Sequence, residues 1–292
     1  MFQNKRQRAV GRNWLDNGTF QIEQRGAGAY SSAGFTADRW YLTGSKSVVV
    51  TPTTGTFTMS NASTYVYQTL PPDTVNFLSG KNVTLTALVD VQPGSVLSIG
   101  IGYGNSSATN PSAILTTRTT SGILTATFTY PGTGAERIFF YTSSSFSGSV
   151  SVRGVKLEIG GFQSLARYNG SAWDVIDKTP YAEDLLRCQR YYQRITAGTG
   201  NAVGFGTGYS STNILCTFPL AAPMVSGNPT MAVSSGSISL VGEGGTIAYS
   251  ATAVRGNQSA VSVGFTVTGA TQYRPYIAVA AANTVIEFSN EI

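Results

Sequence analysis

The residues of this chain that could perform acid–base chemistry are its carboxylates, because the sequence contains no histidine. This excludes Ser-His-Asp and Cys-His nucleophile systems and His-ligated zinc. A glycosidase needs two carboxyl groups held roughly 5 to 9.5 Å apart across a cleft. The acidic pairs closest in sequence are Asp174 with Asp177, in a polar segment, and Glu183 with Asp184, where a helix is predicted to begin. Both pairs have structural explanations, so we expect a non-enzymatic protein.

The sequence also gives little support for a metal or cofactor site. The two cysteines, Cys188 and Cys216, are too few for a disulfide framework or a structural zinc site, and we expect both to be small buried hydrophobic residues. Turn residues Asp16, Asn17 and Asp38 could support a structural calcium ion, since that ion needs only oxygen ligands. No spaced calcium-loop motif occurs, and we expect no cofactor.

The elements that must position these residues are predominantly β-strands. Short apolar segments rich in Val, Ile, Tyr, Phe and Thr alternate with Gly, Pro, Asn and Ser through most of the chain. Before residue 160 the predicted strands are 47–51, 56–59, 64–70, 83–91, 96–101, 123–130, 137–141 and 150–159. After residue 195 they are 214–218, 237–241, 246–251, 260–268, 273–280 and 284–288. Segments 83–91 and 150–158 alternate with period two, which predicts one buried and one hydrated face.

One segment, Pro180–Arg194, has helical character instead. Thr179 can cap it, Pro180 suits its first position, and acidic residues precede basic ones. Its apolar side chains recur at helical spacing and predict a stripe that packs domains or neighbouring subunits together. The stripe consists of Tyr181, Leu185, Cys188 and Tyr192.

The chain is therefore predicted to be all-β, with two jelly-roll-like β-sandwich domains joined by a connector and one short α-helix. Its 292 residues suffice for two such domains. The predicted boundaries are an N-terminal arm at 1–12, a jelly-roll domain at 13–160, a connector plus helix at 161–194 and a C-terminal β-sandwich at 195–292.

The net charge of +5 belongs to the N-terminal arm. Without its four basic residues, the rest of the chain carries 15 basic and 14 acidic residues, so we expect no nucleic-acid binding. The arm is interpreted either as a solvated terminus or as a peptide that docks on an acidic partner. Its basic residues are Lys5, Arg6, Arg8 and Arg12.

Hydropathy predicts a soluble protein. No apolar run approaches the roughly 20 residues of a membrane span, and the N-terminus lacks the apolar core of a signal peptide. We therefore expect synthesis in the cytoplasm and no insertion into a membrane.

Four segments resemble a family of tailed-bacteriophage virion proteins. The segments Asn13–Gly26 and Ala37–Tyr41 resemble the start of the jelly-roll module in those proteins, and Val155–Glu158 resembles its closing strand. Pro180–Tyr192 resembles the helix that follows the module, and Ile286–Ile292 resembles the usual final strand. The segments occur in the expected order across residues 13–292.

The resemblance implies a virion appendage such as a tail fibre, head spike or baseplate-attached tip, often trimeric, whose jelly rolls resemble carbohydrate-binding modules. It implies other virion proteins and a host-surface glycan as partners and a place on the virion surface. We expect the basic arm and the first domain to attach to the particle, and the C-terminal sandwich to face the host. The sequence has no long repetitive shaft, which disfavours a long fibre.

Candidate glycan-binding residues are aromatic or hydrogen-bonding side chains of the C-terminal domain. That domain contains only five charged residues, which also suits subunit burial. Two alternatives stay open: a purely structural capsid decoration, head-fibre or collar protein, and a polysaccharide depolymerase that uses carboxylates. The candidates are Tyr209, Tyr249, Arg255, Asn257, Tyr273 and Arg274.

Overall fold

A computed structural model describes residues 11–291, except residues 27, 45, 103–112, 133–135, 145, 226–228 and 257–259. The chain forms two compact units, Met1–Leu185 and Leu186–Ile292, and the boundary between them falls inside the second helix. Antiparallel sheets make up most of both units, which confirms the predicted all-β, sandwich-type fold. No helix in the described part of the chain is both long and apolar enough to cross a membrane.

The first unit contains two six-stranded antiparallel sheets and one two-stranded sheet. Sheet A has the order β1-β4-β5-β12-β7-β10, sheet B has the order β2-β3-β6-β11-β8-β9, and β13 pairs with β14. In chain order its elements are β1 (Gly28–Tyr30), β2 (Gly34–Phe35), β3 (Tyr41–Leu42), β4 (Val48–Thr51), β5 (Thr56–Met59), β6 (Tyr65–Thr69), α1 (Pro72–Leu78), β7 (Asn82–Val91), β8 (Leu97–Gly102), β9 (Ala113–Arg118), β10 (Gly122–Thr129), β11 (Arg137–Thr142), β12 (Val150–Ile159), β13 (Ala166–Tyr168), β14 (Trp173–Val175) and α2 (Tyr181–Gln189).

Sheets A and B enclose one hydrophobic core. Successive side chains of a strand point to opposite faces, so alternate residues of each sheet meet in the interior. Val66 of β6 and Phe140 of β11 come from sheet B, while Phe57 of β5 and Leu85 of β7 come from sheet A. All four are fully buried in the same cluster, as is Trp40, which lies directly before β3.

The short helix α1 is not foreseen by the apolar pattern, because it has only seven residues and two inward-facing side chains. Pro72 occupies its first turn, where a missing N–H costs nothing, and Asp73 places a negative charge near the positive end of the helix dipole. Val75 and Leu78 are buried in the core.

The outward face of β12 differs from the prediction of a hydrated face. A bulge at Arg153 shifts the register, after which Lys156 and Glu158 lie opposite the inward-facing Val155 and Leu157. Both charged residues are buried because the segment after β12 folds back over them. The Lys156 ammonium forms ion pairs with Glu158 (3.2 Å) and Asp177, and also donates to the Ser164 hydroxyl.

The segment from residue 13 to residue 22 is buried although it forms no regular strand, so side chains must satisfy its backbone groups. The Asn17 amide nitrogen donates to the carbonyls of Ile22 (2.8 Å) and Asp38 (3.1 Å), and its side-chain oxygen accepts the Ile22 N–H (3.0 Å). The Asn17 N–H donates to the Asp184 carboxylate at 2.8 Å. The Asn17 carbonyl accepts from the Trp40 indole at 3.2 Å. Asp184 thus acts as a buried acceptor at the start of α2.

The second unit contains a seven-stranded sheet of order β20-β19-β23-β16-β17-β22-β21 and a three-stranded sheet of order β15-β24-β18. Their inward faces share one core, in which Phe218, Phe265 and Phe288 are fully buried. The strands are β15 (Tyr192–Ala197), β16 (Ala202–Ser210), β17 (Asn213–Pro219), β18 (Thr230–Ser235), β19 (Ile238–Gly242), β20 (Gly245–Ile247), β21 (Tyr249–Gly256), β22 (Ala260–Val267), β23 (Pro275–Ala280) and β24 (Thr284–Ser289).

The predicted helix is too long at its C-terminal end. Helix α2 ends at Gln189, and Tyr192 instead begins β15, which pairs with β24 through Tyr192 and Ser289. Tyr192 therefore does not belong to the helical stripe that the sequence predicted. Within α2, Tyr181 is exposed, Leu185 is half-buried and Cys188 is buried, as is Cys216 in β17.

We predict that Asn17→Ala destabilises the first unit by about 2 to 4 kcal/mol, because three buried hydrogen bonds lose their side-chain partner. The backbone φ of +50° at this position adds strain for alanine. Urea unfolding followed by tryptophan fluorescence measures the effect. Asn82→Ala, which alters an exposed asparagine at the start of β7, is the control and should change little. Equal stability of the two variants would contradict the assigned role of Asn17.

Candidate functional site

The outward face of sheet B carries a cluster of aromatic side chains that we call the tyrosine face. It is created by strand alternation: in β6, Val66 and Gln68 point into the unit, so Tyr65 and Tyr67 point outward. The same alternation in β11 buries Ile138 and Phe140 in the core and turns the intervening residues outward. The tyrosine face consists of Phe35, Tyr41, Tyr65, Tyr67, Arg137, Phe139 and Tyr141.

Strand register aligns these rings into two rows across the sheet. In the first row, Phe35 pairs with Tyr41, Tyr41 with Tyr67, and Tyr67 with Phe139. The ring centroids are 5.1 Å apart for Phe35 and Tyr41, in an edge-to-face arrangement, and 5.2 Å apart for Tyr41 and Tyr67. Phe139 is buried, whereas the other three rings are half-exposed, so the row forms a partly open aromatic surface.

The second row consists of Tyr65 and Tyr141, which pair across β6 and β11 and stack with centroids 4.3 Å apart. Burial and the neighbouring Tyr141 phenol raise the pKa of Tyr65 to about 12, and burial also raises the pKa of Tyr67. Both groups stay neutral phenols at physiological pH. They can therefore both donate and accept hydrogen bonds at the edge of an apolar ring.

Strand β8 lies next to β11 and places only small residues on this side of the sheet. Ser98 lies opposite Tyr141, Gly100 opposite Phe139 and Gly102 opposite Arg137. A Cβ atom at Gly100 would lie 2.4 Å from the Phe139 ring and 2.2 Å from the Ala113 carbonyl oxygen, so the ring needs glycine there. All six residues of β8 are buried, so the exposed part of the face is formed by the aromatic rows and not by β8.

A buried group of polar residues adjoins the Phe35 edge of this face. The Arg25 guanidinium lies 5.3 Å from the Phe35 ring and 3.4 Å from the Asp38 carboxylate. Asp38 also accepts from the N–H and the side-chain amide of Gln24. Burial raises the pKa of Asp38, and it raises the pKa of Glu23 from 4.5 to about 7. The polar side chains beside Phe35 are therefore paired with one another.

The turn residues considered for calcium are engaged within the protein. Asp38 is held by Gln24 and Arg25, Asp16 lies 3.3 Å from Arg39, and the Asn17 side chain bonds to backbone groups. Among the residues that the structure describes, no group of three or more His, Cys, Asp or Glu side chains could hold a metal ion.

Four candidate residues of the C-terminal sandwich lie at one end of the seven-stranded sheet. Tyr209 is the second-last residue of β16 and is 67% exposed, and the N–H of Tyr273, which is 83% exposed, donates to the neighbouring Gly208 carbonyl. Arg274 forms an exposed ion pair with Glu243. Tyr249, at the start of β21, packs edge-to-face on Phe265 with centroids 4.9 Å apart.

The four residues at this end do not form a single described pocket. Tyr209 lines a cleft of about 130 Å³ with Asn213 and Leu215, whereas Tyr249 lines a separate cleft of about 380 Å³ with Thr246 and Thr268. Of the remaining two candidates, Arg255 is near the other end of β21, and Asn257 is outside the described residues.

The predicted attachment arm is described only in part. Lys5, Arg6 and Arg8 lie outside the described residues, and the Arg12 guanidinium contacts the Trp14 ring at 4.8 Å.

The acidic pairs that could support glycosidase chemistry are committed to structural contacts. Asp177 pairs with Lys156, Asp174 accepts from Asn169, and Asp184 accepts from Asn17. Glu183 is exposed on α2. Neither pair is arranged as two carboxylates free to act on one substrate.

Sequence reasoning missed the tyrosine face although one local signal was present. The pattern Tyr65-Val-Tyr-Gln-Thr69 places two tyrosines on the same side of a strand, opposite an apolar valine. The rest of the face comes from β2, β3 and β11, which only strand pairing brings alongside β6.

Comparisons with known proteins assign no family to this chain. No protein-family model and no curated protein matches it. Among solved structures, one that matches is the N-terminal CBM22-1-CBM22-2 tandem domain of Xyn10C from Paenibacillus barcinonensis. The match covers 97% of this chain and 96% of that chain, with 11% sequence identity and a TM-score of 0.32. A likeness of this degree assigns neither family nor function.

We predict that the stability of the first unit falls as the pH rises from about 4.5 to about 7, in part because of Glu23. The folded unit holds the Glu23 proton more tightly than the unfolded chain does, so this contribution is complete below pH 4.5 and lost as the pH passes 7. Glu23→Gln should flatten the dependence, with a residual slope from Asp38, whose pKa is raised in the same direction.

Urea unfolding at several pH values measures this dependence. Glu183→Gln, which alters an exposed carboxylate on α2, serves as the control and should leave the profile unchanged. A Glu23→Gln profile identical to that of the wild type would show that Glu23 does not supply the dependence.

Proposed function

We propose that this protein binds a glycan without cleaving it, through the tyrosine face of its first unit. The observation that supports the proposal is the two rows of half-exposed rings, with the Tyr41–Tyr67 and Tyr65–Tyr141 contacts at 5.2 Å and 4.3 Å. The C–H face of a sugar ring stacks on such apolar surfaces, while the phenol groups exchange hydrogen bonds with its hydroxyls.

The shape and rigidity of the face suit an extended sugar chain. Tyr65, Tyr67 and Tyr141 project from neighbouring strands of one sheet, so ring positions are fixed by backbone pairing rather than by a loop. Little conformational entropy is lost on binding when the contacting groups are already ordered.

We also propose that the chain serves as a bacteriophage virion appendage that recognises the host surface. Support comes from the resemblance of 13–26, 37–41, 155–158, 180–192 and 286–292 to jelly-roll virion proteins. In this proposal the basic arm attaches to the particle and the tyrosine face meets the host glycan.

A trimeric assembly is part of this proposal. The outward side of the seven-stranded sheet includes Phe205, which is 61% exposed, and Ile277, which pairs with it and is 37% exposed. The second unit carries few charges, so burial of this side against another copy would desolvate little charge. The same feature favours the alternative of a purely structural capsid decoration protein.

We predict that Tyr67→Ala weakens glycan binding by about 1 to 2 kcal/mol, or about five- to thirtyfold, because the central ring of the first row is lost. A glycan array identifies a ligand, and isothermal titration calorimetry measures the affinity. Tyr67→Phe keeps the ring and should retain most of the binding. Urea unfolding of each variant checks that the first unit still folds.

The matched controls are Tyr209→Ala and Tyr273→Ala, which alter exposed tyrosines of the second unit. They should bind like the wild type. Loss of binding in these two variants, with Tyr67→Ala unaffected, would place the site in the C-terminal sandwich instead. Failure of the wild-type protein to bind any glycan would overturn the proposed function.

We predict that the protein in solution has about three times the 30.7 kDa mass of one chain. Size-exclusion chromatography with multi-angle light scattering measures the mass, and Phe205→Ser should shift it toward one copy by making the exposed sheet face more polar. A wild-type protein that elutes only as a 30.7 kDa species would contradict the trimer.

A further inference from the structure

We infer that the glycan bound by the tyrosine face carries a carboxylate, as in a uronic acid, and that Arg137 recognises it. This inference rests on the proposed function and specifies the class of sugar. Arg137 begins β11 beside the first aromatic row, and its guanidinium carbon lies 4.5 Å from the centroid of the Tyr67 ring.

In the described part of the chain, no carboxylate pairs with the Arg137 guanidinium. Among the residues that the structure describes, Arg137 forms no salt bridge and no side-chain hydrogen bond. The six strands of sheet B contain no Asp or Glu. A guanidinium with free N–H donors next to apolar rings favours an anionic ligand.

Two other arginines near the tyrosine face, unlike Arg137, have polar partners within the protein. Arg25, beside Phe35, is paired with the buried Asp38 carboxylate. Arg118, in β9, donates to the carbonyls of Thr120, Ser121 and Ile123 at 2.5 to 3.0 Å, so its donors serve the turn that follows. Arg137 is the third arginine, and its only described partner is the face of an aromatic ring.

The position of Arg137 favours a carboxylate over a phosphate. In a uronic acid the carboxyl group is bonded directly to the sugar ring, so a ring stacked on Tyr67 brings its carboxylate close to a guanidinium 4.5 Å from the same tyrosine. A phosphodiester lies between sugar units and is farther from the stacked ring. The planar guanidinium can also bind both carboxylate oxygens at once.

The test compares acidic polysaccharides with their own neutral derivatives. The probes are polygalacturonate, alginate and hyaluronan, each beside its carboxyl-reduced form, and a poly(glycerol phosphate) teichoic acid as the phosphate probe. Calorimetry on the full chain measures each affinity. We expect at least one acidic polymer to bind, with at least about a tenfold loss on carboxyl reduction.

Arg137→Gln should produce a similar loss for the acidic polymer and little change for its reduced form. Arg137→Lys, which keeps the charge without the planar fork, should be intermediate. The matched control is Arg167→Gln, because Arg167 is an exposed arginine of β13 on a different sheet, and it should bind like the wild type.

The results separate the two proposals. Equal binding of acidic and reduced polymers, with no effect of Arg137→Gln but a loss in Tyr67→Ala, would overturn the carboxylate and leave glycan binding in place. Binding of the teichoic acid in preference to every carboxylated polymer would also overturn it. Binding of no polysaccharide would overturn the proposed function itself.

Discussion

The first unit depends on how the buried, irregular segment from residue 13 to residue 22 satisfies its backbone hydrogen bonds. A strand would pair these groups with a neighbour, but here the Gln68, Asp184 and Asn13 side chains supply the partners. Leaving such groups unpaired in the interior would cost about 1 to 3 kcal/mol each. The same residues form the start of the motif that resembles virion proteins, so the motif has a structural explanation in this chain.

The outward faces of sheets A and B differ in how far other parts of the chain cover them. On sheet A, the segment after β12 folds back and buries Lys156 and Glu158, and its Asp177 and Ser164 side chains are partners of Lys156. Removing one partner from such a buried ion cluster is strongly unfavourable, which fixes the segment in place. On sheet B, the tyrosine face remains half-exposed. One face is therefore covered by the chain itself, and the other is available for a ligand.

In the proposed function, the tyrosine face provides two kinds of contact on one sheet. The rings offer apolar surface and neutral hydroxyls, and Arg137 adds one charge beside Tyr67 in the first row. The paired cluster of Arg25 and Asp38 lies at the Phe35 end of that row. If the proposed glycan site is correct, this asymmetry favours one orientation of a bound sugar chain, because among the described residues the Arg25 charge is paired with Asp38 and the Arg137 charge is not.

The sequence by itself determined the all-β class, most of the strand positions and the burial of both cysteines, because period-two patterns and turn residues are local. It did not determine where the helix ends, since Tyr192 fits a helical stripe as well as the β15 pairing that it makes with Ser289. It also did not reveal the tyrosine face. Tyr41, Tyr65 and Tyr141 are distant in sequence, and only the tertiary structure decided the strand order and register that bring them together.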